Sequence, residues 1–155
     1  MNPMTMRGLS LAAVVAVWTA ISEMARVPLS LWPVIVALGC SLAAGGGIPG
    51  LQRTLAGTIS GVVWAIVAHA VSRALGGQDL VLALVLGGAA FGMVLQARVP
   101  VLSFTAGAFA GAGVAMGLRA ITMQGGVRVA IALAIGAVLG LAAERLPQLV
   151  ASRRM

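Results

Sequence analysis

The side chains that could do chemistry in this sequence are few, and they lie mostly at the ends of long apolar runs. There is one histidine, His69, and there are three carboxylates, Glu23, Asp79 and Glu144. None has the spacing of a metal site or a catalytic triad, and the glycines at 45–47 lack the Lys-Ser/Thr of a phosphate-binding loop. The sequence therefore predicts no catalytic residue, no metal site and no cofactor, and we do not expect an enzyme.

The densest group of polar side chains stands at the start of an apolar run in the second half of the chain. Its members are Gln96, Arg98, Ser103 and Thr105. Polar side chains are costly in lipid unless they are paired or hydrated, so this group is a candidate lining for a solute path, together with Ser60 and Trp64. The alternative is that Gln96 and Arg98 mark the water boundary and that Ser103 bonds a carbonyl of its own helix.

Two further features belong to the hypothesis of a solute path: a positively charged entrance, called the mouth, and one titratable side chain. Arg53 and Arg98 each lie near the start of an apolar run and are predicted on the cytoplasmic side, where two helix N-termini would make the mouth electropositive. Such a mouth favours anions or neutral polar solutes; the alternative is ordinary positive-inside placement. His69 shares a helical face with Gly57 and Gly61, which makes it a candidate gate or proton relay, or else an interfacial histidine with a local partner.

The composition determines the solvent around these residues. The 155 residues are 61% hydrophobic and only 8% charged, and the mean hydropathy is +1.09. Soluble domains carry about 25% charged residues, so the predicted environment is a lipid bilayer. All ten basic residues are arginine and most lie singly between apolar runs, although the net charge is +7. This spacing is typical of boundary residues rather than of a basic patch, and no nucleic-acid partner is expected.

The apolar runs predict an all-α polytopic bundle that forms one membrane domain over residues 1–155. Six spans are expected, at about 8–22, 29–45, 54–72, 80–97, 99–118 and 129–143. An even number of spans puts both termini on one side, and the arginine count favours the cytoplasm. A five-span arrangement, with the first or the last run at the membrane interface, remains open.

Glycine organises this bundle in two ways. The triple glycine at 45–47, followed by Pro49 and Gly50, is predicted to end one helix and start the next. Four-residue glycine spacings create small faces where helices can approach closely. The predicted packing glycines are Gly57, Gly61, Gly88, Gly92, Gly107, Gly111, Gly113, Gly117, Gly136 and Gly140. These faces outnumber what one chain readily uses, which predicts a homo-oligomer; the alternative is that all of them pack within the chain.

Several stretches of the chain resemble the YcdZ-type family of bacterial inner-membrane proteins, a domain family of unknown function. They are Gly50-Leu51, Ser60-Gly61-Val62-Val63-Trp64-Ala65, Gln96-Ala97-Arg98 and Leu102-Ser103-Phe104-x-x-Gly107-x-Phe109-x-Gly111-Ala112. The resemblance covers nearly the whole chain and implies a small polytopic inner-membrane protein, without a substrate or a catalytic residue. The pattern Arg-Thr-x-x-Gly-Thr at 53–58 is also similar to the membrane domains of fusaric-acid-resistance proteins and aromatic-acid exporters.

Two functions are consistent with these observations. The first is a small-solute channel or transporter of the bacterial inner membrane, acting as a homo-oligomer on a small molecule that the sequence does not identify. The second is a non-transporting scaffold or regulatory subunit that binds a membrane partner through its glycine faces. The polar residues at 96–105 favour transport, because a scaffold does not need them.

Overall fold

The structure, a computed structural model, describes residues 3–26 and 30–152, and every regular element within them is helical. The helices are α1 (Pro3–Met24), α2 (Leu31–Ala43), α3 (Gly47–Ala74), α4 (Asp79–Leu95), α5 (Thr105–Gly117) and α6 (Met123–Ser152). Two short 3-10 turns, Gln96–Arg98 and Pro100–Leu102, join α4 to α5. The predicted all-α class with six helices is confirmed.

The helices differ in whether they are long enough to cross a bilayer. Three stretches are long and apolar enough, namely Gly47–Ala74, Asp79–Arg98 and Met123–Leu146. The remaining apolar stretches, Gly8–Met24, Leu31–Ala43 and Thr105–Gly117, are shorter. An apolar helical stretch of 20 residues or so is what a ~30 Å hydrocarbon core requires. The chain is therefore a helical membrane protein in which three long helices are combined with three shorter ones.

At two of the predicted spans a proline explains why the helix begins at a different residue from the span. The third helix starts at Gly47 rather than at 54, because Pro49 lies in its first turn, where a missing N–H costs no hydrogen bond. The fifth starts at Thr105 rather than at 99, because Pro100 holds Val99 in an extended conformation, with φ −87° and ψ 119°. The predicted start of the second span, at residue 29, lies outside the described residues.

The turn between α2 and α3 is the break that the triple glycine predicts. Gly45, Gly46 and Gly47 have φ values of +98°, +67° and +63°, a region that side-chain-bearing residues rarely adopt. Glu144 of α6 reaches this turn: the Gly47 N–H donates a hydrogen bond of 2.6 Å to its Oε2 atom, and Gly46 lies against the same carboxylate. The Glu144 carboxylate of α6 thus caps the N-terminus of α3.

Two helix pairs form the closed part of the bundle. In the pair α3–α5, Gly61 lies against the Ala108 carbonyl and Gly111 against the Thr58 carbonyl, so a Cβ atom at either glycine would overlap backbone. In the pair α2–α6, Gly136 lies against the backbone of Val34 in the same way. Contact between backbones is the closest approach two helices can make.

Helix α4 packs differently from these pairs. Only 11% of the apolar stretch of α4 is buried, against 39% for α3 and 44% for α6. The core of the described residues accordingly lies among α2, α3, α5 and α6, with Leu133, Ala37, Ala108 and Ala115 fully buried. Helix α4 lies at the periphery of the bundle, where it covers one side of α3.

The predicted packing glycines divide into two groups. Close neighbours across a helix contact or turn surround Gly57, Gly61, Gly92, Gly107, Gly111, Gly136 and Gly140. A Cβ atom at Gly117 would make an ordinary contact, at 3.5 Å, with the Trp32 ring. A Cβ atom at Gly88 or Gly113 would meet nothing within 4 Å among the described residues. The described residues therefore leave these two faces uncovered, and the role of Gly88 and Gly113 in helix packing stays a prediction.

Candidate functional site

Three of the predicted path residues form one hydrogen-bonded chain. The Trp64 indole N–H donates to Gln96 Oε1 at 2.9 Å, the Gln96 amide nitrogen donates to Ser60 Oγ at 3.0 Å, and the Ser60 hydroxyl donates to the Gly57 carbonyl at 2.7 Å. All three side chains are part-buried. Because both ends of the Gln96 amide are engaged, its orientation is fixed by its neighbours. These hydrogen bonds link α3 to the 3-10 turn that follows α4.

Local structure explains why these residues meet. Ser60 and Trp64 are four apart on α3 and therefore project from one face. Gln96 is the first residue after α4 and one turn beyond Gly92. The Trp64 ring occupies the space that a side chain at Gly92 would fill. The missing side chain thus lets the indole lie against α4 with its N–H directed to the Gln96 amide.

The other predicted path residues lie outside this chain. Arg98 is exposed, and Ser103 is exposed with its hydroxyl donating to the Pro100 carbonyl at 2.8 Å. Thr105 is half-buried as the first residue of α5. Arg53 is exposed in the second turn of α3. The structure therefore brings Ser60, Trp64 and Gln96 together, whereas Ser103 makes the local carbonyl bond that the alternative interpretation describes.

Two adjoining cavities lie between α4 and the α3–α5 pair. The first, of about 300 Å³, is lined by Trp64, Ala65, Leu86, Ala89, Ala90, Met93, Phe109, Ala112, Gly113 and Met116. The second, of about 350 Å³, is lined by Ala65, His69, Leu82, Leu86, Met116, Arg119 and Ile121. They share three lining residues, so together they form one depression, here named the α4 groove. The groove lies on the α4 side of the contact in which α3 and α5 meet backbone to backbone.

His69 and Arg119 define one end of the α4 groove. His69 is half-buried on α3, on the predicted face that also carries Gly61. Arg119 follows α5 with a positive φ of +52°, and its backbone N–H donates to the Met116 carbonyl at 2.9 Å. By its position in the sequence, Arg119 is one of the single arginines that mark the end of an apolar run. Its place at the groove depends on this left-handed turn, which no glycine announces in the sequence.

Glu144 is a second residue whose contacts the sequence does not predict. Its carboxylate lines a separate cavity of about 460 Å³ beside the α2–α3 turn, together with Leu11, Leu42 and the three turn glycines. Its bond to Gly47 spans 97 residues of sequence. Within the described ranges, no group of three or more His, Cys, Asp or Glu side chains could hold a metal ion.

The fold and the α4 groove define a class: a helical membrane protein with few interior polar groups and an apolar groove beside α4. The chain belongs to the family described as "Protein of unknown function (DUF1097)", whose model matches residues 8–148. The prediction of an uncharacterised family is thereby confirmed. Neither a curated protein nor a solved structure matches the chain.

Proposed function

We propose that the protein is a small-solute transporter or channel of the bacterial inner membrane and that its solute moves along the α4 groove. The observation that carries this proposal is the hydrogen-bonded chain of Trp64, Gln96 and Ser60, in which the Trp64 ring lines one end of that groove. Polar side chains are costly within a membrane, and those that lie there often border the paths of solutes or ions. A helix contact made by glycines needs no such chain.

The groove also has features that suit movement of a solute. Gln96 can exchange its bonds to Trp64 and Ser60 for bonds to a passing solute, because an amide both donates and accepts. Helix α4 is the least buried of the long helices, so it can shift without breaking the core. Arg98, two residues beyond Gln96, leaves a permanent positive charge at this end, which favours anions and neutral polar solutes over cations.

The membrane, the topology and the assembly state complete the proposal. The YcdZ-type resemblance and the similarity to aromatic-acid exporters support an inner-membrane transporter, and the arginine count supports cytoplasmic termini. The open face at Gly88 supports a homo-oligomer, because a small exposed surface on a membrane helix suits close contact with another helix. The same open face favours the second candidate, a scaffold or regulatory subunit that binds another membrane protein.

Flux measurements on proteoliposomes test the proposal. A panel of small ions, urea and organic acids is compared between the unchanged chain, Gln96→Leu and the matched Gln124→Leu, which alters an exposed glutamine of α6. We expect at least one solute to cross faster than in protein-free vesicles. Its rate should fall about tenfold in Gln96→Leu, the cost of one hydrogen-bonding group at a barrier, and stay unchanged in Gln124→Leu.

Two outcomes would contradict the transport proposal. One is that no member of the panel crosses faster than the protein-free background. The other is equal flux in the unchanged chain and in Gln96→Leu. In a chain that does transport, Arg98→Ala and Arg53→Ala test the electropositive mouth, and we expect each to lower the preference for anions over cations.

A further inference from the structure

The α4 groove is elongated along α4. Its lining on α4 extends from Leu82 to Met93, a rise of about 16 Å along the helix. Across the groove the facing residues include Ala65 and Ala112, whose small side chains leave a channel between helices that otherwise pack closely. A groove of this shape fits an extended chain better than a compact molecule.

The two ends of the groove differ in charge. Arg119 and His69 border one end, and the guanidinium of Arg119 carries a permanent positive charge. Between this end and Trp64 the lining is almost entirely aliphatic, from alanine, leucine and methionine side chains. The groove thus offers a cation at one end of an apolar trough.

The groove is also accessible from the side. Phe109 and Met116 on its α5 rim are 44% and 40% exposed, although both are large apolar residues that line the depression. In a membrane protein such a rim faces lipid. An amphipathic molecule dissolved in the bilayer can therefore reach the groove without first crossing the water-facing ends of the bundle.

From this geometry we infer that the α4 groove binds a single-chain carboxylate, with its head group between Arg119 and His69 and its acyl chain extended toward Trp64. Arginine pairs with a carboxylate through two parallel hydrogen bonds, and the aliphatic trough takes the chain out of water. One narrow trough accommodates one chain, which selects a free acyl carboxylate over a two-chain phospholipid. The inference rests on the proposed function, because it names the solute class of the same groove.

Tryptophan fluorescence can report where such a ligand lies. The chain has three tryptophans, so Trp18→Phe combined with Trp32→Phe leaves Trp64 as the only reporter. The probe is decanoate brominated at its terminal carbon, since bromine quenches an adjacent indole. We expect saturable quenching of Trp64 and weaker quenching when the bromine is next to the carboxylate. Matched proteins that retain only Trp18 or only Trp32 should show no saturable quenching.

Charge variants test the head-group end. Arg119→Gln should raise the Kd for decanoate about tenfold, because one charge-assisted pair is lost, and His69→Gln should raise it less. Arg128→Gln is the matched control, since Arg128 is exposed and borders a neighbouring cavity but not the groove. Decanol and decylammonium should compete poorly, as should phosphatidylglycerol. Isothermal titration of the unchanged chain with decanoate supplies the Kd independently of the Phe substitutions.

Several results would overturn the inference. Equal quenching of all three tryptophans would mean partition into the detergent or bilayer only. A Kd that does not change in Arg119→Gln, or competition by decanol or phosphatidylglycerol as strong as that by decanoate, would do the same. Saturable decanoate binding without any flux would contradict the transport proposal and leave this inference standing. Flux that depends on Gln96 without decanoate binding would leave transport standing and reject this inference.

Discussion

Helix α3 makes two contacts that contrast with one another. Toward α5, Gly61 touches the Ala108 backbone and the two helices leave no space between them. Toward α4, the large Trp64 ring fills the place of a side chain at Gly92, and cavities lie beside it. The same helix thus uses glycine to close one interface and tryptophan to hold another apart. The comparison shows that the groove and the closed interface lie on adjacent faces of one helix, because Gly61 and Trp64 are only three residues apart.

The difference has a physical cause. Close packing between backbones fixes two helices by dispersion forces alone and tolerates no added atom. The α3–α4 interface instead depends on one aromatic ring and on the hydrogen bonds of Gln96, which can be remade with another partner. We therefore expect substitutions to affect stability on the α5 side and function on the α4 side.

The largest effect is expected at the closed interface. Gly61→Ala places a Cβ atom on the Ala108 carbonyl, and we expect a loss of about 3 kcal/mol of unfolding free energy in spite of the better helix propensity of alanine. Gly88→Ala is the control, because its Cβ meets nothing within 4 Å among the described residues. Unfolding in mixed detergent measures both. Equal stability of the two variants would remove the distinction between closed and open faces.

Trp64→Phe tests what holds the open interface. The smaller phenyl ring lacks the outer indole atoms that lie against Gly92 and cannot donate to Gln96, so the interface loses packing and one part-buried acceptor loses its partner. We expect a loss of about 1.5 kcal/mol in the same unfolding measurement. Trp32→Phe, which changes a tryptophan that is 43% exposed, should cost less. A larger effect at Trp32 would argue that the hydrogen-bonded chain contributes nothing to the interface.

The hydrogen bond between Gly47 in the α2–α3 turn and Glu144 of α6 should contribute less to the free energy of unfolding than the contacts above. Glu144→Gln keeps the shape of the side chain but removes its negative charge from the N-terminus of α3. We expect a loss of about 1 kcal/mol at low ionic strength, and a smaller one at high salt. The control is Glu23→Gln at the exposed end of α1. Equal free energies of unfolding in the two variants would show that the Glu144 hydrogen bond has no electrostatic component.

Gly113→Leu should have the smallest effect on stability and a clear effect on function. Its Cβ would enter open space on the wall of the α4 groove, so we expect a change of less than about 0.5 kcal/mol. The leucine side chain would fill part of the cavity and lower flux. Gly39→Leu, on an exposed face of α2 that does not line the groove, should leave flux unchanged. Full flux in Gly113→Leu would place the solute path elsewhere.

The sequence predicted the features that depend on neighbouring residues. Apolar runs gave the six helices, and the glycine run predicted the break between α2 and α3. Ser60, Trp64 and Gln96 could be grouped because polar side chains are rare in this chain, and the structure joins them by hydrogen bonds. These predictions needed no knowledge of which helix packs against which.

Features that depend on helix pairing could not be predicted. Gly88 and Gly111 each stand in the same four-residue spacing, yet only Gly111 meets another backbone, because spacing does not say which face has a neighbour. The capping bond of Glu144 joins residues 97 positions apart, and no local pattern announces it. Arg119 reaches the groove through a left-handed turn of a residue type that rarely adopts one.

The length of α2 and α5 has a consequence for the bilayer. Each has thirteen residues and spans about 20 Å, whereas the hydrocarbon layer is ~30 Å thick. This hydrophobic mismatch has to be met by lipid that compresses locally or by headgroups and water that descend to the helix ends. Around these helices the bilayer should therefore be thinner, and lipids with short acyl chains should gather beside the protein.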